Sequence, residues 1–278
     1  MKLRLLLILL HASILVSVAT AQTAEEIIGK NIEARGGTEK LAAIHSMVVR
    51  TVEEASWGGK GSSVLSIMRP DRMRLYWEWR GGPKGPLLTM IWAFDGEIAW
   101  WADQHKGLQA PNKVTGDGVE EFRRMARHQF AESVGDFHKN GDTVELVGQD
   151  SVEGAQCYKI RFTNHGEVRY AYYDTQSFLV VQYEVIGHRK NKKDKEDVFR
   201  VAVSDYRWVN GILFPHKFRI DGIDASPFAV ARGLPLGFAF VTKKNSMTST
   251  IQTIEINPDM DENTFQIPGK ATQEPGKQ

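Results

Sequence analysis

A single cysteine in 278 residues leaves Cys157 without an intramolecular partner, so disulfides cannot hold this fold together. Its alternating neighbours place it on a strand, where a buried, inert thiol is expected rather than a nucleophile. Thiolate metal clusters are excluded for the same reason. The histidines (His11, His45, His105, His128, His138, His165, His188 and His216) form no H-x-x-x-H or H-E-x-x-H pair, so a zinc site would have to be assembled from distant strands. An excess of charge of one sign is also missing. The chain carries 35 basic and 34 acidic residues for a net charge of +1, which argues against a nucleic-acid partner. Beyond residue 21 no stretch approaches the roughly 18–20 apolar residues of a membrane helix.

Motifs of catalysis are equally scarce. There is no G-x-S-x-G elbow, and the glycine-rich 57–61 segment (WGGKG) lacks the G-x-x-x-x-G-K-[ST] spacing, so it reads as a hairpin loop. Asp259, Asp261 and Asn263 start like a calcium loop, but Thr264 and Lys270 stand where glycine and glutamate are required. A capped turn is the expectation there. The doublets Glu53-Glu54 and Glu120-Glu121 are sequence neighbours; on a strand such a pair faces opposite sides, unsuited to a two-carboxylate glycosidase. No catalytic residue, metal ligand or cofactor is therefore assigned, and a binding protein is favoured over a hydrolase.

What is present begins with an export signal. Lys2 and Arg4 precede an apolar run over residues 5–18, and Ala19-Thr20-Ala21 offers a small-x-small cleavage site. Cleavage after Ala21 and a periplasmic destination are expected, with an uncleaved anchor as the alternative. Residues 22–268 then form one domain, and 269–278 a polar tail expected to be disordered. Residues 23–35 read as a helix with a Thr23/Glu26 capping box and Gly36-Gly37 at its end. A second helix over 119–134 carries Val119, Phe122, Ala126, Phe130 and Val134 on one stripe. It would either plug the sheet or act as a movable lid. From residue 143 onward turns recur about every 8–12 residues, the rhythm of a β meander. Asn210-Gly211 is its strongest hairpin signal. Residues 188–197 (HRKNKKDKED) read as a solvated hairpin tip, and residues 224–243 as an apolar, Gly- and Pro-bearing flap or buried excursion.

The chain is organised around residues 67–101. Met73, Leu75, Trp77 and Trp79 alternate with Arg72, Arg74, Tyr76 and Glu78, the period-2 pattern of a sheet with one wet face. After the GGPKG turn, Leu88, Met90, Trp92 and Phe94 continue the apolar stripe, and Asp95-Gly96 turns the chain toward Trp100. These residues, with Phe122 and Phe130 from the second helix, are the candidate lining of an apolar cavity. For each of them, ordinary core packing is the competing explanation.

The order RPDRMRLYWEW, Gly-rich turn, LLTMIWAFDGEIAWW resembles the central strands of the LolA-like outer-membrane lipoprotein-sorting proteins. TAEEIIGKNIEARGGTEKLAAIHSM is similar to their N-terminal helix, and DYRWVNGILFPHKFRI with TIEINPDMDENTFQIP to their closing strands. The departures are residues 224–243, the charged 188–197 segment and the greater length. The resemblance implies an α+β fold: a strongly curved antiparallel sheet, a half-open barrel, with helices covering the concave face. It further implies a monomeric periplasmic carrier that shields the acyl chains of lipoproteins or related lipids, served by inner- and outer-membrane partner proteins. A non-enzymatic envelope sensor or partner-binding module on the same fold is the alternative.

Overall fold

The computed structural model describes residues 22–82, 84–103, 110–134, 137, 141–164, 167–188, 196–221 and 246–268. The proposed signal segment, the 224–243 excursion, the 269–278 tail and most of the charged 188–197 run lie outside these residues.

The first helix, α1 (Ala24–Ala34), starts where the sequence marks it. Thr23 Oγ1 accepts from the Glu26 amide, and Glu26 Oε2 accepts from the Thr23 amide, so two of the helix's open donors are satisfied reciprocally. Gly36 and Gly37 follow with φ of 122° and 92°, angles that glycine alone adopts without strain. A short helix α2 (Thr38–Ala42) leads into the sheet.

The strands are β1 (Ser46–Ala55), β2 (Lys60–Met68), β3 (Arg72–Arg80), β4 (Leu87–Phe94), β5 (Ala99–Asp103) and β6 (Asn112–Lys113). After helix α3 (Asp117–Val134) come β7 (Thr143–Val152), β8 (Ala155–Asn164), β9 (Glu167–Asp174), β10 (Val180–His188), β11 (Glu196–Val209), β12 (Ile212–Asp221) and β13 (Ser246–Ile256). They form one antiparallel sheet in the order β6-β5-β4-β3-β2-β1-β13-β12-β11-β10-β9-β8-β7. Two meanders are thus joined where the first strand meets the last, Val49 opposite Ile254 and Glu53 opposite Ser249.

The ends of the sheet, β6 and β7, are consecutive in sequence and joined by residues 114–142, which include α3. Laid flat, thirteen strands would span roughly 58 Å. Helix α3 packs on β2–β5 toward one end of the sheet, yet Asn164 of β8, toward the other end, shares a surface cleft with its Asp117, Glu120 and Arg124. The sheet therefore curls without closing. Among the described residues no helix is long and apolar enough to cross a membrane.

Pairing places Met73, Leu75, Trp77 and Trp79 of β3 beside Ile67, Leu65, Ser63 and Gly61 of β2, and those beside Met47, Val49, Thr51 and Glu53 of β1. We call this the inner face. Met125 and Ala126 of α3 are buried on it among Met47, Ile67, Met73, Leu75 and Phe94. Asp71, at the entry to β3, holds α3 by ion pairs to Arg127 (3.2 Å) and Arg123 (3.6 Å). On the other half of the sheet, Ala24, Ile27 and Ile28 of α1 pack against Ile160, Phe162, Tyr173 and Val180.

The opposite face is polar over β8–β11, where Glu184 accepts from Tyr172 (2.8 Å) and Arg200 (2.6 Å). Over β4 and β5 it is capped by the C-terminal segment: Trp100 Nε1 donates to the Phe265 carbonyl at 2.8 Å. Asp261 caps the short 3-10 helix Glu262–Phe265 by accepting from the Asn263 amide, the capped turn expected in place of a calcium loop. Cys157 is fully buried, and burial, ahead of the nearby Asp174 charge, pushes its thiol above the usual value.

Candidate functional site

Between α1 and the central strands lies a cavity of about 120 Å³. Its floor is the inner face where the two meanders join: Met47 and Val49 of β1, Leu65 of β2, Leu75 of β3, Ile251 and Ile254 of β13. Phe214 and Phe218 of β12, Tyr183 of β10 and Tyr173 of β9 form the far wall, and Phe137 from the α3–β7 connection closes one side. Alternation explains most of this lining: β1, β2 and β3 contribute residues of one parity, while a register shift in the β1–β13 pairing lets Ile251 and Ile254, three residues apart, reach the same cavity.

The roof is α1, through Asn31 and Arg35. Asn31 falls on the same helical stripe as Ile27 and Ile28, and its Nδ2 donates to the Phe178 carbonyl at 2.8 Å. Arg35 is tied to β12 twice: its carbonyl accepts from the Leu213 amide (2.8 Å), and its Nε donates to the Leu213 carbonyl (3.2 Å). Its guanidinium lies 5.7 Å from the centre of the Phe214 ring. The C-terminal end of α1 is thus fixed to the sheet. Gly36 is needed there, since a Cβ at that position would stand 2.5 Å from the Gly211 carbonyl oxygen.

The floor is not uniformly apolar. Thr51, Ser63 and Ser249 line it in adjoining strands, and Glu53 is buried beside them at 1% exposure. Trp77 Nε1 donates to Glu53 Oε2 at 2.7 Å, and Ser63 Oγ to Oε1 at 3.4 Å. Burial pushes the Glu53 carboxyl up to about 7, against the opposing pull of the Trp77 and Ser63 hydrogen bonds. Trp77 stacks on Trp79 with ring centres 5.8 Å apart.

The residues singled out in the sequence sit as follows. Met73, Leu75 and Phe94 are buried on the inner face, with Trp92 and Phe122 packed against them. Trp77 and Trp79 form a second cluster with Leu88 and Met90 alongside. Of all these, Leu75 reaches the cavity; the others are core beside it. Trp100 is corrected to the opposite face, where it packs with Ile91, Ala93 and Ala102. The β4–β5 hairpin sets Ala93 across from Trp100 and Trp92 across from Trp101, so it is Trp101 that shares the face of Trp92. The side chain of Phe130 lies outside the described residues.

Sequence reasoning missed the α1 contribution and the polar floor. Signals for both were present. Asn31 interrupts an apolar helical stripe, and Glu53 continues the Met47, Val49, Thr51 parity of a strand whose inward positions are otherwise covered.

Three solved structures share this architecture. A DUF1329 family protein from Desulfovibrio piger superposes with a TM-score of 0.53 at 9% identity, covering 88% of this chain and 98% of the other. A LolA superfamily protein from Nitrosomonas europaea gives 0.52 at 10% identity, with 88% and 98% covered. The fold is LolA-like. A domain assigned to outer membrane lipoprotein sorting, from Vibrio parahaemolyticus, agrees at 0.50 and 7% identity, with 86% and 94% covered. No family model and no curated protein matches the sequence. At such identities the likeness is one of fold. The LolA-like sheet accounts for the curl and the open edges, while the cavity is described by this chain's own residues.

Proposed function

We propose that this protein is a periplasmic, non-catalytic carrier that shields the acyl chains of a lipoprotein or related lipid. The observation that carries the proposal is the cavity between α1 and the β1/β13 junction, lined by Val49, Leu65, Leu75, Phe214 and Ile251. In this reading the inner face is the concave face of the curled sheet, with α1 and α3 covering it. The LolA-like fold of the lipoprotein-sorting domain supports the same assignment.

The physics suits the task. Each methylene withdrawn from water contributes about 0.8 kcal/mol, so a chain of about sixteen carbons gains about 12 kcal/mol on entering a dry site. The cavity of about 120 Å³ is of the size that takes up a single ring, engineered cavities of about 150 Å³ admitting benzene. A complete acyl chain therefore has to open it further. Opening costs free energy that offsets part of the transfer gain, and this keeps affinity low enough for release to an acceptor. Arg35 fixes the C-terminal end of α1 on Leu213, and Ala24, Ile27 and Ile28 fix its N-terminal turns in the core, so widening the cavity gives up packing and carries that cost.

The test is titration of the purified chain with a diacylated lipopeptide, followed by tryptophan fluorescence, with the deacylated peptide as control. Saturable binding of the acylated form alone is expected. Equal response to both peptides, or to neither, would remove the carrier reading.

A further inference from the structure

A cavity built only to hold hydrocarbon has no use for an open hydroxyl in its floor. Ser249 has one. Its side chain is 0% exposed and lines the cavity, yet among the described residues its Oγ has no hydrogen-bond partner. Leaving a buried hydroxyl unpaired is unfavourable, and such a group in a native protein calls for an explanation, a bound ligand or water being one.

Its surroundings make a site of it. Ser249 stands directly across from Glu53, a spacing of roughly 5 Å between Cβ atoms. Ser63, one strand further on, donates to Glu53 and keeps its own lone pairs for an incoming donor. Trp77 occupies the remaining Glu53 oxygen. This polar step divides two apolar regions of the same face: the Met47, Val49, Leu65 and Leu75 region on one side, and Trp77, Trp79, Ile220 and Met247 on the other. An occupant long enough to touch both must cross it.

We propose that the cavity recognises a neutral oxygen function on an aliphatic chain, a hydroxyl or an ester carbonyl, through Ser249 with Ser63 and Glu53 beside it. The inference rests on the carrier reading and narrows its ligand class. Neutrality follows from Glu53: a carboxylate or phosphate placed against a buried carboxyl would meet either repulsion or a second desolvation cost. An alkyl chain without oxygen would leave Ser249 unpaired, so discrimination comes from the hydroxyl that the chain fails to satisfy.

The test compares three uncharged probes on the exported chain and on Ser249→Ala. 1-Decanol supplies a hydroxyl, methyl decanoate an ester, and N-phenyl-1-naphthylamine reports the apolar cavity without an aliphatic oxygen. The serine hydroxyl holds no bond within the described protein, so the alanine variant is expected to fold with an unchanged or higher melting temperature; Ser249→Thr restores the hydroxyl. Ser249→Ala should weaken decanol, the ester or both by about tenfold, leave the dye's affinity unchanged or tighter, and be rescued by Ser249→Thr. Loss for only one oxygen probe assigns the function as hydroxyl or ester. If the dye binds but neither oxygen probe responds to Ser249→Ala, the inference fails and the carrier reading stands. If no probe binds the unsubstituted protein, both fail.

Discussion

Glu53 provides a quantitative check on the environment of the cavity floor. Its carboxyl, raised to about 7 from a usual 4.5 mainly by burial, makes folding pH-dependent in a defined direction. Below pH 4.5 the group is protonated in folded and unfolded chains alike, and stability is at its full value. As pH rises toward 7 the unfolded chain releases the proton while the folded chain keeps it, so stability falls and then levels off. The difference between 7 and 4.5 corresponds to about 3 kcal/mol. Glu53→Gln keeps an oxygen to accept from Trp77 Nε1 and cannot ionise. Urea unfolding of both proteins at intervals from pH 4.5 to 8, followed by tryptophan fluorescence, isolates the effect, since contributions of other groups cancel in the difference. The glutamine variant should gain on the parent by about 3 kcal/mol across that window, with unchanged m-values. A difference that is constant with pH, or that shrinks as pH rises, would refute a buried, charge-free floor.

Other consequences can be measured directly. Asp71→Asn removes the anion that holds Arg123 and Arg127 of α3; a loss of about 1–3 kcal/mol is expected, with hydrogen exchange accelerating in α3 before α1. Gly36→Ala forces a Cβ to 2.5 Å from the Gly211 carbonyl at φ of 122°, and should cost more than about 2 kcal/mol in thermal or chemical melts. Ile251→Trp fills the cavity and should abolish lipopeptide binding while shifting stability by no more than about 1–3 kcal/mol. Trp92→Phe, altering core outside the cavity, should leave that binding within twofold.

Much of the architecture is written locally. The Thr23/Glu26 box, the Gly36-Gly37 stop, the strict alternation of β3 and the Asn210-Gly211 hairpin, with φ of 50° and 74°, each act within a few residues. The junction of β1 with β13 does not. It pairs Met47 with Ile256 across some two hundred positions, and nothing in either segment names the other. That junction forms the cavity floor, so the site itself was hidden although its fold was legible. A dense aromatic stripe drew attention to β3 and β4, yet aromatic density marks core as readily as cavity. Trp100 shows the same limit at short range: a two-residue turn pairs even positions of β4 with odd positions of β5, which places Trp101, not Trp100, on the face of Trp92. Ser249 has no local signal at all. Its significance comes from being buried with no hydrogen-bond partner for its hydroxyl among the described residues.

Native mass spectrometry of the protein isolated from its own envelope addresses transport itself. A carrier retains added mass matching an acylated molecule in a fraction of chains, lost in Ile251→Trp. Uniformly bare protein, even after incubation with a diacylated lipopeptide, would contradict it.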